Sequence, residues 1–252
     1  MIFYRAEAPG TPDLLNTYYE AGLLLPESRV ICLAGAGGKT STLFALGEAM
    51  KAAGFSAALT TTTHMKTPEG PCIDTLEKLE KLRKAEKAGA GRLLFCAQEA
   101  ETKGKVRQPD FLERLPGIFD RVLIEADGSR GLPIKFPAAH EPVIPPCCDT
   151  LLIVAGLSAI GKPLKAAAHR LPLVSSCLKK SPSAPVEPED IARLIKEGYL
   201  NTYKDTLHCC VILNQADGPF EEEAARKIAA ALPDTPLIAQ SLQALISCSG
   251  SK

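Results

Sequence analysis

Neither sign of charge is in excess in this chain: 29 lysines and arginines stand against 29 aspartates and glutamates. A non-specific grip on nucleic acid needs surplus cation to displace counterions, so nucleic acid is not an expected partner. Long apolar runs are also missing. The longest uncharged apolar stretch is Thr150 to Gly161, ended by Lys162, and a membrane span needs about 20 residues. The start, MIFYRAEAPG, has no cationic segment followed by an apolar one, so no secretory leader is expected and the cytoplasm is the expected location. No CxxC pair occurs among the nine cysteines, Cys32, Cys72, Cys96, Cys147, Cys148, Cys177, Cys209, Cys210 and Cys248. An odd count without metal spacing argues against a disulfide framework and for thiols in a reducing compartment. The vicinal pair Cys147-Cys148, flanked by prolines, is the one expected exposed thiol cluster.

What is present is ordinary for a globular enzyme-sized chain. Of its 252 residues, 46% are hydrophobic and 23% charged. At that length a full core forms without staples. We expect one domain over residues 1–252. Apolar runs read as strands at Arg29–Ala34, Phe55–Thr61, Arg92–Ala97, Arg121–Ala126, Thr150–Ala155, Leu207–Leu213 and, briefly, Leu237–Ala239. Helical spacing appears at Thr40–Ala53, Asp74–Lys87, Glu187–Gly198 and Glu221–Leu232. Strands apolar throughout, with helices between them, predict a doubly wound α/β fold with a mostly parallel sheet covered on both faces. Leu132–Pro146 and Ser181–Pro188 read as loops.

The strongest chemical signal follows the first predicted strand: Gly35-Ala36-Gly37-Gly38-Lys39-Thr40-Ser41. Glycines let backbone amides turn toward phosphate oxygens, and the next helix adds its positive N-terminus. In that pattern Lys39 reaches the β- and γ-phosphates and the Thr40 hydroxyl faces Mg²⁺. The usual G-x-x-x-x-G-K-[ST] requires glycine at position 33, where Leu33 stands. The loop is a shortened form, similar to the G-T-x-G-K-[ST] of Mur ligases except at Ala36 and Gly37.

Three further segments are expected around it. Arg121–Ala126 leads into Glu125-Ala126-Asp127-Gly128-Ser129, an apolar strand ending in acids, as in a Walker B element. Period-two alternation puts Glu125 and Asp127 on one side, where either carboxylate can hold Mg²⁺. Thr60-Thr61-Thr62-Thr63-His64 ends the second strand. Thr62 is a candidate contact to the γ-phosphate or metal, and His64 a candidate proton carrier. Asn214-Gln215-Ala216-Asp217 follows the sixth strand and is similar to the N-K-x-D element of GTPases. There the Asp accepts from guanine and the Asn braces the base pocket, so Asn214 and Asp217 favour GTP slightly over ATP. Gln215 replaces the lysine. Lys135 and Arg170, in the segments after the acidic strand end, are candidate anion contacts.

Taken together, GAGGKTS, TTTTHM, IEADGSRGLPIKFPAAHEPVIP, GLSAIGKPL with His169-Arg170, and LNQAD resemble the YqeC family from about Leu23 to Gly218. That family is described as accessory proteins of selenium-dependent hydroxylases. The resemblance implies a cytoplasmic P-loop accessory in maturing molybdenum hydroxylases, with a hydroxylase or cofactor-maturation protein as partner. IEADGS is also similar to the I-E-x-x-G segment of nickel-chaperone GTPases. Three readings follow: a Mg²⁺-dependent nucleoside triphosphatase, a nucleotide-gated binding protein with negligible turnover, and an ATP-dependent ligase or kinase.

Overall fold

The structure is a computed structural model that describes residues 1–5, 12–68, 72–85 and 91–242. Cys248 and the predicted helix end at Lys87 lie outside the described residues. Its centre is a sheet of nine parallel strands among the described residues: β1 (Ile2–Arg5), β2 (Val30–Gly35), β3 (Ser56–Thr61), β4 (Cys72–Ile73), β5 (Arg92–Cys96), β6 (Arg121–Glu125), β7 (Thr150–Gly156), β8 (His208–Asn214) and β9 (Leu237–Ser241). Their order across the sheet is β1-β9-β8-β7-β2-β6-β3-β5-β4. The doubly wound α/β expectation holds.

Every residue of β2, β6 and β7 is buried. These strands therefore lack the polar alternation of a half-wet sheet, because both faces are covered. The alternation survives as a division between two cores. Val30, Cys32 and Ala34 of β2 join Val122, Ile124, Leu151 and Ile153 on one face. Ile31 and Leu33 join Leu123, Leu152 and Val154 on the other. Helix α1 (Pro12–Glu20) and helix α2 (Lys39–Ala52) cover the second core with Leu14, Tyr18, Leu43, Leu46 and Met50. Helices at Pro188–Ile195 and Pro219–Ala231 cover the first with Ile191, Leu194, Ala225 and Ile228.

The chain leaves β2 toward β3 on one side and later crosses to β7 on the other. The C-terminal ends of β2, β6 and β7 thus flank a topological switch point, where ligands of open α/β sheets bind.

Most strand expectations are met within a residue or two. The differences lie in short elements. Ile134–Lys135, inside the predicted Leu132–Pro146 loop, pairs in parallel with Ala168–His169. A helix over Leu171–Leu178 and the N-terminal β1 and α1 carried no signal that we read. Met65–Lys66, Gln98–Glu99 and Lys105–Arg107 make a small antiparallel sheet of their own. The predicted Glu187–Gly198 helix is α-helical over Pro188–Ile195 and then widens to a π-helical turn over Lys196–Leu200.

Candidate functional site

Strand β2 ends at Gly35, and the loop turns there under tight constraint. Gly35 adopts φ +101°, and a Cβ on it would stand 2.2 Å from the Val154 carbonyl oxygen. Gly37, at φ +78°, would put a Cβ 2.3 Å from the Gly156 nitrogen. These glycines let the loop lie directly on β7.

The loop's first amides are already engaged. Gly35 N–H donates to both carboxylate oxygens of Asp127, at 3.1 and 3.0 Å. Ala36 N–H donates to Val154 O at 2.8 Å and Gly37 N–H to Leu132 O at 3.1 Å. The open donors start one residue later. The amides of Gly38, Lys39, Thr40 and Ser41 meet no acceptor among the described residues, and the first helical bond is Thr42 N–H to Gly38 O at 3.0 Å. Orphan amides at a helix N-terminus, with the helix dipole behind them, form an anion site.

Lys39 is folded back under the loop. Its Nζ donates to Gly35 O at 2.7 Å and pairs with Asp127 Oδ1 at 3.1 Å, with only 2% of the side chain exposed. Asp127 is fully buried, and its Oδ2 pairs with Lys135 Nζ at 3.0 Å. Lys135 Nζ also donates to Gly128 O at 2.9 Å and Glu141 Oε2 at 2.8 Å. Its three N–H groups are thereby all engaged, so in this arrangement Lys135 has none left for a ligand. Glu141 in turn takes a two-pronged bond from Arg170, Nε to Oε2 at 3.0 Å and Nη2 to Oε1 at 2.8 Å. The result is an alternating relay, Lys39⁺–Asp127⁻–Lys135⁺–Glu141⁻–Arg170⁺, running from the phosphate loop to the surface. Buried charges persist only when paired this way.

The two acids at the end of β6 have different surroundings. Asp127 sits behind the loop between two lysines. Glu125 faces the front, where Thr40 Oγ1 donates to its Oε2 at 2.7 Å. Burial raises the Glu125 pKa above its ordinary value, opposed by Lys39 and Thr40. The adjacent hydroxyl and carboxylate are hard oxygen donors that suit Mg²⁺, which binds through one or two protein groups plus phosphates and water. Among the described residues, no group of three or more His, Cys, Asp or Glu side chains is arranged to hold a metal.

The threonine run is tied to the same strand end. Thr62 N–H donates to Glu125 O at 3.1 Å, Thr61 Oγ1 to the same oxygen at 3.0 Å, and Thr62 Oγ1 to Val143 O at 2.7 Å. His64 lies exposed beyond it, joined to no other site residue by a hydrogen bond.

Asn214 reaches over from β8, and its Nδ2 donates to Gly37 O at 2.9 Å. A Cβ on Gly38 would collide with that nitrogen at 2.2 Å, so Asn214 straps the loop from above. Gln215, at φ +64°, turns its Oε1 to accept from Ser158 Oγ at 2.6 Å. Asp217 is exposed at the rim, with its Oδ1 accepting from Ser241 Oγ at 2.6 Å.

Sequence reasoning did not single out Glu141 as the hub of the relay, Tyr199 as a partner of Asp127 (OH to Oδ2, 3.4 Å), or Ser241. Of these, only Glu141 falls inside a segment read from the sequence, IEADGSRGLPIKFPAAHEPVIP. A cavity of about 420 Å³ lies at the opposite, N-terminal end of β8 and β9, beside His208 and Pro236. It is away from the strand ends where this fold binds ligands.

Glu141 gives the site an acid limit. Burial pushes its carboxyl up, but Arg170 and Lys135 outweigh it and bring the pKa from 4.5 down to about 2. A depressed carboxylate contributes stability that is present above the unfolded pKa and lost as pH falls through the folded one. We expect the urea midpoint to drop between pH 4.5 and about 2, and Glu141→Gln to flatten that part of the profile. A variant profile that falls as steeply as the wild type would show that Glu141 is not the group responsible.

The family profile described as YqeC protein matches residues 31–172. The chain belongs to the YqeC family. It is 32% identical over 181 residues, 66% of its length and 67% of the relative's, to a protein named "Uncharacterized protein YqeC" from Escherichia coli (strain K12). Most of the site described here falls inside the matched span, from β2 through Arg170. The Asn214 strap and the Asp217–Ser241 pair lie outside it.

Proposed function

We propose that this YqeC-family chain binds a Mg²⁺–nucleoside triphosphate at Gly38–Ser41 and hydrolyses it. The observation that carries this reading is the Thr40–Glu125 hydrogen bond of 2.7 Å beside four open amides at the start of α2. A phosphate placed on those amides lies next to the pair that would hold the metal. When bound, Mg²⁺ neutralises charge on the phosphate oxygens.

The chain's own groups do the rest. The amides of Gly38, Lys39, Thr40 and Ser41 position the phosphates. Lys39 leaves Gly35 O and meets charge developing on the transferred phosphoryl group. Asn214 keeps the loop seated through Gly37 O. Gly35, Ala36 and Gly37 shape the turn. The resemblance to accessory proteins of selenium-dependent molybdenum hydroxylases supports a role in maturing such enzymes in the cytoplasm, with a hydroxylase or cofactor-maturation protein as partner.

One observation favours slow turnover, as in a nucleotide-gated binding protein. The Thr62 hydroxyl is bonded to Val143 O and His64 lies exposed beyond it, so neither is set to orient a water. Sustained phosphate release at steady state would exclude that reading.

Asp217, paired with Ser241 at the ends of β8 and β9, supports a guanine pocket. We expect calorimetry with Mg²⁺ to show GTP binding more tightly than ATP, and Asp217→Asn to reduce the difference by about tenfold, the worth of one charge-assisted hydrogen bond. Equal affinities in the wild type would reduce Asn214–Asp217 to a structural turn and raise the ligase or kinase reading.

A further inference from the structure

We propose that Arg170, His169 and Arg130 form a receiving site for an anionic group, phosphate or carboxylate, on a second substrate. The inference rests on the nucleotide reading for its purpose but not for its geometry. Glu141 fixes the Arg170 guanidinium through Nε and one N–H of Nη2. Among the described residues Nη1 and the second N–H of Nη2 meet no other acceptor; they form the adjoining edge of a held, planar fork, with 30% of the side chain exposed. A pre-oriented guanidinium edge is the usual receiver for a phosphate or carboxylate.

The neighbours extend the field. His169 is in register with Lys135 on the two-stranded ribbon, which puts both side chains on one face. Burial first, and then Lys135, Arg170 and Arg130, lower the His169 pKa, with Glu141 opposing them. The charged form of the histidine is therefore disfavoured among three cations and one carboxylate, and an arriving anion would favour it. Arg130 is exposed and makes no side-chain hydrogen bond among the described residues. Both arginines hold left-handed backbone, φ +52° at Arg130 and +60° at Arg170. Non-glycine residues adopt that conformation at a cost, and such strain collects at functional sites.

Placement gives the site its meaning. The segment carrying Arg130 starts directly after the acidic end of β6, and the ion relay joins Arg170 to Lys39. A second substrate held here by its anionic end would lie beside the proposed nucleotide, as an acceptor for phosphoryl transfer or activation requires.

The test is proton–nitrogen NMR on the full chain, titrated separately with inorganic phosphate and with acetate. The His169 ring resonances report the receiving site, and the amides of Gly38 and Thr40 report the phosphate loop. The expected result is a saturable His169 shift with a dissociation constant of about 1–10 mM, as for a few charge-assisted bonds in water. Arg170→Gln and Arg130→Gln should each weaken it severalfold. Arg130 is exposed and makes no side-chain hydrogen bond among the described residues, so that variant separates lost binding from lost structure. Response to phosphate alone names a phosphorylated substrate, and response to both anions admits a carboxylate. No His169 shift with either anion, or shifts in both variants as large and as tight as in the wild type, overturns the proposal. If His169 responds and the loop amides do not, the receiving site stands and the nucleotide reading fails.

Discussion

Lys39→Ala is expected to fold and to lose nucleotide binding by at least about a hundredfold, or ~2.8 kcal/mol, in Mg²⁺-dependent calorimetry. The lysine is the one cation whose stem starts inside the glycine loop, and it has a donor to spare. Two of its three N–H groups are engaged, by Gly35 O and Asp127. Releasing them for phosphate weakens the wild-type affinity but leaves no buried charge alone. Asp127 keeps Lys135, the Gly35 amide and the Tyr199 hydroxyl. The variant's circular dichroism should therefore match the wild type while the nucleotide-induced rise in melting temperature disappears. Unchanged binding would remove the phosphate-loop assignment, because Lys39 is the cation that the glycine loop itself supplies.

The parts of this site that depend on local rules were legible in the sequence. An apolar strand, glycines, and GKT before a helix placed the loop at the end of β2, and the structure puts it there. The Asn214 strap was also legible in outline, since an Asn directly after a buried strand sits at the sheet's C-terminal edge. The acids were only half legible. Period-two alternation placed Glu125 and Asp127 together, but β6 ends at Glu125, so the alternation stops before Asp127. The chain turns there and carries that carboxylate behind the loop. Lys135 and Arg170 are legible as candidate anion contacts from their charge and their place after the acidic strand end. Their pairing through Glu141 depends on Ile134–Lys135 lying beside Ala168–His169. Two-residue strands have no period to detect, and the partners are 34 positions apart in the chain. The same limit hid Tyr199, whose hydroxyl reaches Asp127 from a π-helical turn.

That hidden half leads to the second large effect. Asp127→Ala is expected to cost about 3–5 kcal/mol, the usual penalty for breaking a buried ion pair by removing one partner. Here two buried ammonium groups, Lys39 and Lys135, lose their common counter-ion, and the Gly35 amide loses its acceptor. Asp127→Asn should cost less, since the amide oxygen still accepts while the charge is gone. Glu125→Gln provides the contrast. Its carboxylate meets Thr40 at the front of the site, so its loss should leave the urea midpoint nearly unmoved and remove the Mg²⁺ dependence of nucleotide binding. The pair of measurements separates two roles that adjacent acids can play at a strand end. An Asp127→Ala protein as stable as the wild type would mean that the lysines do not need it. The relay from Lys39 to Arg170 would then have no centre, and Asp127 would return as a candidate metal ligand beside Glu125.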